Sequence, residues 1–340
     1  MERLRQLLSQ ERGRLYHQAL VRVNYQGMCA FAHEEACLPD VVFDLASVSK
    51  LLTGTMILML SGQQRIDLKQ SIFSLLKDEA GSHTKEFLQM VTPENLLSHS
   101  AHLPAWYPFY TETDDFWKVL EKLLARGDSV PNVLYSDIGF MLLGILAQKV
   151  SGCTLPQLLA QLNGLLDTEF TYTPEDVSVC IPTEFGNQVE MRMCAERGIS
   201  YAGWRSTQTQ IKGSVNDGNA FYYWGGRAGH AGVFGTAEDL LHLAQLYLQD
   251  GEYQGKQLIP AELVQYSFLD RGGRRGLMWD LSDTFPCGVG HTGFTGTALW
   301  LCPKKKIAAA LLASRLPMPG PPNLTNWRKE CFQTIYQSIS

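Results

Sequence analysis

A chain of 340 residues can bury a sizeable core, and it is long for one simple domain yet short for three. Hydrophobic residues at 45% and charged residues at 19% describe an ordinary globular protein and exclude a disordered or fibrous one. A net charge of -5 with scattered Lys and Arg supplies no basic stripe for phosphates, which argues against a nucleic-acid partner.

The opening residues, Met1 to Leu8, alternate charge with leucine in helical fashion and lack the apolar stretch and cleavage site of a signal peptide. The longest apolar run, Leu51 to Leu60, is about half of the roughly 20 residues a membrane span needs, so no span is expected. Eight cysteines are spread singly with no C-x-x-C pair, a pattern that fits free thiols in a reducing compartment and predicts a cytoplasmic protein.

After a short helix, Ala19 to Val23 and Cys29 to Ala32 read as a hairpin turning near Gly27, and Val41-Val42-Phe43 as a third apolar stretch. From Ala46 a helix apolar on all sides runs to about Leu60, stopped by Ser61-Gly62. Helices follow over Pro93 to Leu97, Phe116 to Ala125, Ile138 to Val150 and Leu155 to Leu162, then Ala237 to Leu248 and Pro260 to Phe268. Gly276 to Asp280, Gly293 to Leu301 and Ile307 to Ser314 are β-rich, and Trp327 to Ile339 closes the chain as a helix. Strands at both ends with helices between them predict an α/β (α+β) fold. Its antiparallel sheet is built from residues 1–64 and 237–340, a mostly helical lobe of 65–236 is inserted, and the active site lies at their interface.

A serine attacks acyl carbons only if a base takes its proton, and a lysine three residues on shares its helical face. Ser47-Val48-Ser49-Lys50 has this spacing, but so do Ser74 with Lys77 and Ser82 with Lys85. Only Ser47 follows a strand-like run and opens a buried helix, where helix-start N–H groups favour an oxyanion and an apolar wall can desolvate the lysine. The alternative is a serine that merely caps a helix. Two further patterns stand downstream: Tyr135-Ser136-Asp137, and His291-Thr292-Gly293 just ahead of a strand.

In order and spacing the three resemble the S-x-x-K, Y-S-[N/D] and [K/H]-T-G motifs of serine β-lactamases, penicillin-binding proteins and related esterases and peptidases. Glu94 to Ser100 and Gly225 to Phe234 add to the resemblance. It implies a β-lactamase-like fold of the class C type, with Ser47 as acylated nucleophile, Lys50 as proton acceptor and Tyr135 sharing the base work and passing a proton to the leaving group. His291 joins the catalytic set where the lactamases have lysine, and the backbone N–H groups of Ser47 and Phe294 form the oxyanion hole. Asp137, Thr292 and Gly293 would contact substrate. An ionised Asp137 would raise the lysine pKa and make Tyr135 the working base, unless it orients a substrate amine or hydroxyl. A histidine at 291 removes a permanent cation, which predicts weak or absent β-lactamase activity.

The stretches Ile181 to Glu184 and Gly213 to Ala220 look most like a branch that includes N-acetylmuramyl-L-alanine amidases, with Asn216 and Gly218 departing from its VHDENA pattern. Arg227 in the following loop is either a fork donor to a substrate carboxylate or a solvated loop residue. His99, His102 and His230 lack metal-ligand spacing, so neither metal nor cofactor is implied. Aromatic clusters at Trp106 to Tyr110 and Tyr222 to Trp224 suit a cleft wall and loop packing equally. The expected activity is acyl-enzyme hydrolysis of an amide in a small-molecule or glycopeptide substrate such as a muropeptide. The alternatives are a carboxylesterase or transacylase, and a silent binding or regulatory protein. The sequence leaves the oligomeric state open.

Overall fold

The computed structural model describes residues 1–77 and 81–339. Helix α1 (Glu2–Glu11) leads into strands β1 (Ala19–Tyr25) and β2 (Met28–Glu35), then short β3 (Phe43–Asp44), a single 3-10 turn (Ala46–Val48) and α2 (Ser49–Gly62). Helices α3 (Phe73–Leu76), α4 (Ser82–Met90), α5 (Pro93–Leu97), α6 (Phe116–Ala125), α7 (Asp137–Ser151), α8 (Leu155–Leu166) and α9 (Gln188–Ala195) follow. Then come β4 (Phe234–Gly235), α10 (Ala237–Leu248), β5 (Glu252–Tyr253), β6 (Lys256–Gln257) and α11 (Ala261–Ser267). The chain closes with β7 (Val289–Thr292), β8 (Ala298–Cys302), β9 (Ile307–Ala313) and α12 (Thr325–Ile339).

The main sheet has the order β2-β1-β9-β8-β7, and every neighbouring pair is antiparallel. Strand β9 is buried along its whole length. Its alternation sends Ala308, Ala310 and Leu312 to the face covered by α10, and Ile307, Ala309 and Leu311 to the face covered by α1 and α12. The run of alanines fits a strand packed closely on both faces. Helix α2 is buried on nearly every side, as its lack of a polar face requires. A side chain at Gly54 would collide with Met278, so the glycine permits that close approach. Among the described residues no single helix is long and apolar enough to cross a membrane.

The structure departs from the sequence reading in several places. Gly276 to Asp280 is no strand: Gly276 N donates to Trp279 O, Met278 has φ 63°, and its N–H is spent on Leu97 O. The apolar residues there are buried by a tight reversal under α2 rather than by pairing. The strand expected from Gly293 begins only at Ala298, because Gly293 to Thr297 forms a turn with Gly296 at φ 128°. Residues Val289–Thr292 form a separate edge strand instead. Helices α4 and α9 were not anticipated. Cys287 and Cys302 are joined in a disulfide, which corrects the reading of all eight cysteines as free thiols; the antiparallel pairing of β7 with β8 brings the segment before β7 alongside the end of β8, with the two Cα atoms 5.5 Å apart.

Candidate active site

Strand β3 pairs with β4 and delivers the chain to a sharp corner. Ala46 there adopts φ 48°, a left-handed conformation that a non-glycine residue holds only when its surroundings impose it. They do so here: the Asp44 carboxylate accepts from Ala46 N at 2.8 Å and Asn216 N at 2.7 Å, while Thr295 and Thr297 hydroxyls donate to the carbonyls of Asp44 and Leu45. Burial pushes the Asp44 carboxyl up to about 6 against the pull of these N–H donors. From Phe43 to Leu58 every residue is buried except Ser47. Ser47 is not a capping serine. It lies within the 3-10 turn, the α2 N-cap is Val48, and neither cap makes a side-chain bond.

Lys50 is wholly buried; Nζ donates to Ser47 Oγ at 3.0 Å and His230 O at 2.9 Å and forms an ion pair with Asp137 Oδ1 at 2.7 Å. The ammonium thus has two hydrogen-bond acceptors, Ser47 Oγ and His230 O, and one ion-pair partner, Asp137 Oδ1. Burial is the largest influence and would lower the lysine pKa, but the charge of Asp137 and the nearby Tyr135 oxygen raise it to about 12.

Tyr135 and Asp137 are placed by the start of α7. Ser136 caps this helix through Gly139 N, donates its hydroxyl to Pro104 O, and gives its own N–H to Nδ1 of His99 at 3.0 Å. His99 is buried and packs against Tyr135 with ring centroids 4.5 Å apart and planes tilted by 39°; burial, then the cations Arg275 and Lys50, keep it neutral. The Tyr135 hydroxyl meets both Ser47 and Lys50. Burial raises the pKa of the phenol, Lys50 lowers it and Asp137 raises it again, for a net rise.

Edge strand β7 forms the facing wall. His291 Nδ1 lies 2.9 Å from Thr292 O, so it carries the proton and leaves Nε2 as a buried acceptor without a protein partner. Burial, then Lys50 and Arg275, hold its pKa well below the usual value. Gly293 is required where it stands, since a Cβ there would strike Thr297 Oγ1 and Leu45 O. Phe294 follows, about a third exposed.

These residues share one cleft of about 510 Å³, lined by Ser47, Tyr135, Asp137, His291, Thr292, Gly293 and Phe294. Lys50 sits behind Ser47, outside solvent. Arg227 is not brought to them: it is exposed beside a narrow crevice with Met141 and Trp224, on a loop whose buried side points elsewhere. Trp106 does reach the cleft, while Tyr107 and Phe109 pack inward and Tyr222 to Trp224 join other aromatics. The other two S-x-x-K serines lie elsewhere, Ser74 exposed and Ser82 bonded to Glu121.

Six charged lining residues had not been singled out as site residues: Glu190, Asp217, Arg275, Asp280, Arg315 and Arg328. Arg275 pairs with Asp280 at 3.9 Å and lies over the Tyr135 ring. Arg315 and Arg328 have no ion-pair partner among the described residues. Arg328 is 7% exposed, donates to Gly293 O and Thr297 O, and keeps Nε unpartnered; burial and the neighbouring Arg315 lower its pKa to about 9. A buried cation thus reaches the cleft from α12. Asp217 was visible only as one letter of a partly matching motif, and no spacing announces the others. Among the described residues no group of three or more His, Cys, Asp or Glu is placed to hold a metal ion.

A family model described as Beta-lactamase matches residues 14–331. The N-acetylmuramyl-L-alanine amidase of Bacillus subtilis strain 168 is 28% identical over 309 residues, covering 82% of this chain and 69% of that protein. A putative D-alanyl-D-alanine carboxypeptidase of Escherichia coli O157:H7 is 25% identical over 330 residues, covering 87% and 74%. Among solved structures, a class C β-lactamase from Rhodobacter sphaeroides superposes with TM-score 0.71 at 16% identity over 100% of both chains. EstCE1, a hydrolase with promiscuous acyltransferase activity, gives TM-score 0.71 at 15% identity over 97% of each. At such identities the structural likeness establishes the fold.

Proposed function

The chain belongs to the β-lactamase family of hydrolases, and on that premise we propose that it is an acyl-enzyme amidase acting on a muropeptide or similar peptidoglycan-derived fragment. One observation carries the reading: the single solvent-reaching residue of the α2 corner, Ser47, receives a hydrogen bond from a buried lysine that the Asp137 carboxylate and the His230 carbonyl hold in place. Ser47 Oγ attacks the acyl carbon, and its proton passes to the Lys50–Tyr135 couple. The N–H groups of Ser47 and Phe294 take the oxyanion, and Tyr135 returns the proton to the departing amine. Water then releases the acyl group by the reverse path. The likeness to the Bacillus amidase, together with cations at the cleft wall that can meet peptide carboxylates, supports a muropeptide.

A lysine held as an ammonium favours a second reading, ester cleavage or acyl transfer, because an alkoxide leaving group needs less protonation than an amine. Turnover of muramyl-L-alanine peptides beside p-nitrophenyl esters, by wild type and Ser47→Ala, separates the two. The amidase reading expects peptide cleavage that vanishes in Ser47→Ala. Rapid hydrolysis of esters alone would retire it. Intact-mass labelling by a fluorophosphonate or β-lactam, absent in Ser47→Ala, is expected of either enzyme, whereas a chain that takes no adduct is a silent binding protein.

A further inference from the structure

Lys50 Nζ pairs with Asp137 and donates two hydrogen bonds, one to the Ser47 side chain and one to the main-chain carbonyl of His230. What fixes that carbonyl is the segment around it. Thr53 Oγ1 donates to Gly229 O at 2.7 Å, Val233 N donates to Ser49 Oγ at 3.1 Å, and Leu45 N donates to Val233 O at 2.9 Å. The segment is thereby tied to α2 and its approach on both sides of His230. At His230 itself the tie is made by the side chain. The ring is 1% exposed, with Nε2 3.0 Å from Asp217 Oδ1, and the same carboxylate oxygen accepts from Ala220 N at 2.8 Å. No other bond is made by the ring, since Nδ1 has no partner.

The direction of an amine lone pair matters as much as its distance. A neutral lysine has two N–H donors and one lone pair, and only the lone pair can take a proton from Ser47. With one N–H on His230 O at 2.9 Å and the Asp137 carboxylate paired with the amine at 2.7 Å, the lone pair can face Ser47 Oγ at 3.0 Å. If the His230 peptide were free to turn, the amine would rotate about its last carbon–nitrogen bond and that alignment would be lost.

We propose that Asp217 and His230 are positioning residues for the acylation of Ser47: their ring–carboxylate bond fixes the His230 carbonyl, which in turn aims Lys50. The proposal rests on Ser47 being the nucleophile of the preceding section. It assigns Asp217 a task other than binding substrate, although its carboxylate borders the cleft.

The test measures how fast a small neutral alkyl fluorophosphonate labels the full-length protein, alongside kcat and KM for whichever peptide or ester the wild type turns over. In labelling, the Ser47 Oγ–P bond forms, the P–F bond breaks, fluoride leaves and the hydroxyl proton goes to Lys50. Asp217→Ala and His230→Ala are expected to slow labelling and lower kcat by on the order of 10²-fold, with KM little changed. His230→Gln, whose side-chain N–H can still reach Asp217, is expected to recover about 10-fold or more of that loss. Labelling at the wild-type rate in both alanine variants, with only KM raised, would make Asp217 a substrate contact and overturn the proposal. So would a His230→Gln variant as slow as His230→Ala. Where an alanine variant does not fold, Asp217→Val, which fills the space without an acceptor, decides: slower labelling at unchanged KM supports positioning, and the wild-type rate overturns it. Wild type that takes no label removes the nucleophile assignment as well, whereas label on wild type and variants alike removes the positioning role alone.

Discussion

Lys50 Nζ lies 2.7 Å from Asp137 Oδ1, and the lysine side of this ion pair is entirely out of solvent. The aspartate therefore acts on the lysine with little water between them, and it outweighs the desolvation that would otherwise favour the neutral amine. In the resting site Lys50 is an ammonium and Tyr135 a phenol, so neither can take the Ser47 proton until the cluster loses one of its own. The relationship turns a substitution at one position into a shift in working pH.

Asp137→Asn is accordingly expected to move the rising limb of acylation to lower pH. Wild-type Lys50 has a pKa near 12, so its labelling rate should climb through neutrality without reaching a plateau. Loss of the carboxylate should bring the limb down by about 1–3 units. The rate of fluorophosphonate labelling, followed from about pH 6 to about pH 10, reads this directly. Parallel profiles for wild type and variant would show that Asp137 does not govern the base and acts instead on substrate.

Glu190 gives a second, independent pH signature. Its carboxyl is buried at the cleft wall beside Asp217, and these two causes, burial first, raise its pKa from 4.5 to about 8 despite donors from Gly218 N and Tyr110. A carboxyl with a raised folded-state pKa binds its proton more tightly when folded, so stability is greatest below the unfolded value and falls as pH rises from about 4.5 to about 8. Glu190→Gln should remove this part of the slope. Thermal unfolding across that window measures it. An unchanged slope would mean that the carboxyl ionises freely in the folded protein.

Much of this site was legible for a reason that does not extend to the rest. The α2 segment announces its burial because Leu51 to Leu60 has no polar face, and Ser47 is the residue that precedes it at a corner. Tyr135 and His291 follow in recognisable company. Glu190 and Arg328 carry no such mark, because what brings them to the cleft is the docking of α9 and α12, set by core packing rather than by spacing along the chain, and Arg315 reaches it from the segment just after β9. Arg227 failed in the opposite way: it neighbours a segment that does touch α2, yet its own side chain leaves on the exposed side. Strand β7 is four residues long and half polar, too short for periodicity to register, and missing it concealed the pairing of Cys287 with Cys302.

That pairing makes a countable prediction. With Cys287 bonded to Cys302, unreduced denatured protein should titrate as six thiols, and as eight after reduction. Closing a loop of sequence separation 15 should contribute about 3 kcal/mol, so Cys287→Ser is expected to shift the urea midpoint down by a corresponding amount. Eight thiols without reductant would restore the all-thiol reading and the reducing compartment that went with it.

Arg328 sits where its loss can be read in two ways that experiment can part. Its guanidinium holds the turn after β7 by donating to Gly293 O and Thr297 O, and its free Nε, with Arg315 nearby and no carboxylate partner among the described residues, leaves uncompensated positive charge at the cleft. A buried cation of this kind is costly alone and is relieved by an anion, so substrates bearing a carboxylate should bind better than their amides or esters. Arg328→Met is expected to raise KM by about 10-fold or more for a carboxylate-bearing substrate and to leave KM for its neutral methyl ester nearly unchanged, with kcat reduced for both if the turn loosens. An equal rise in KM for the two would assign Arg328 to holding the turn alone, and the carboxylate preference would have to come from Arg275 or Arg315.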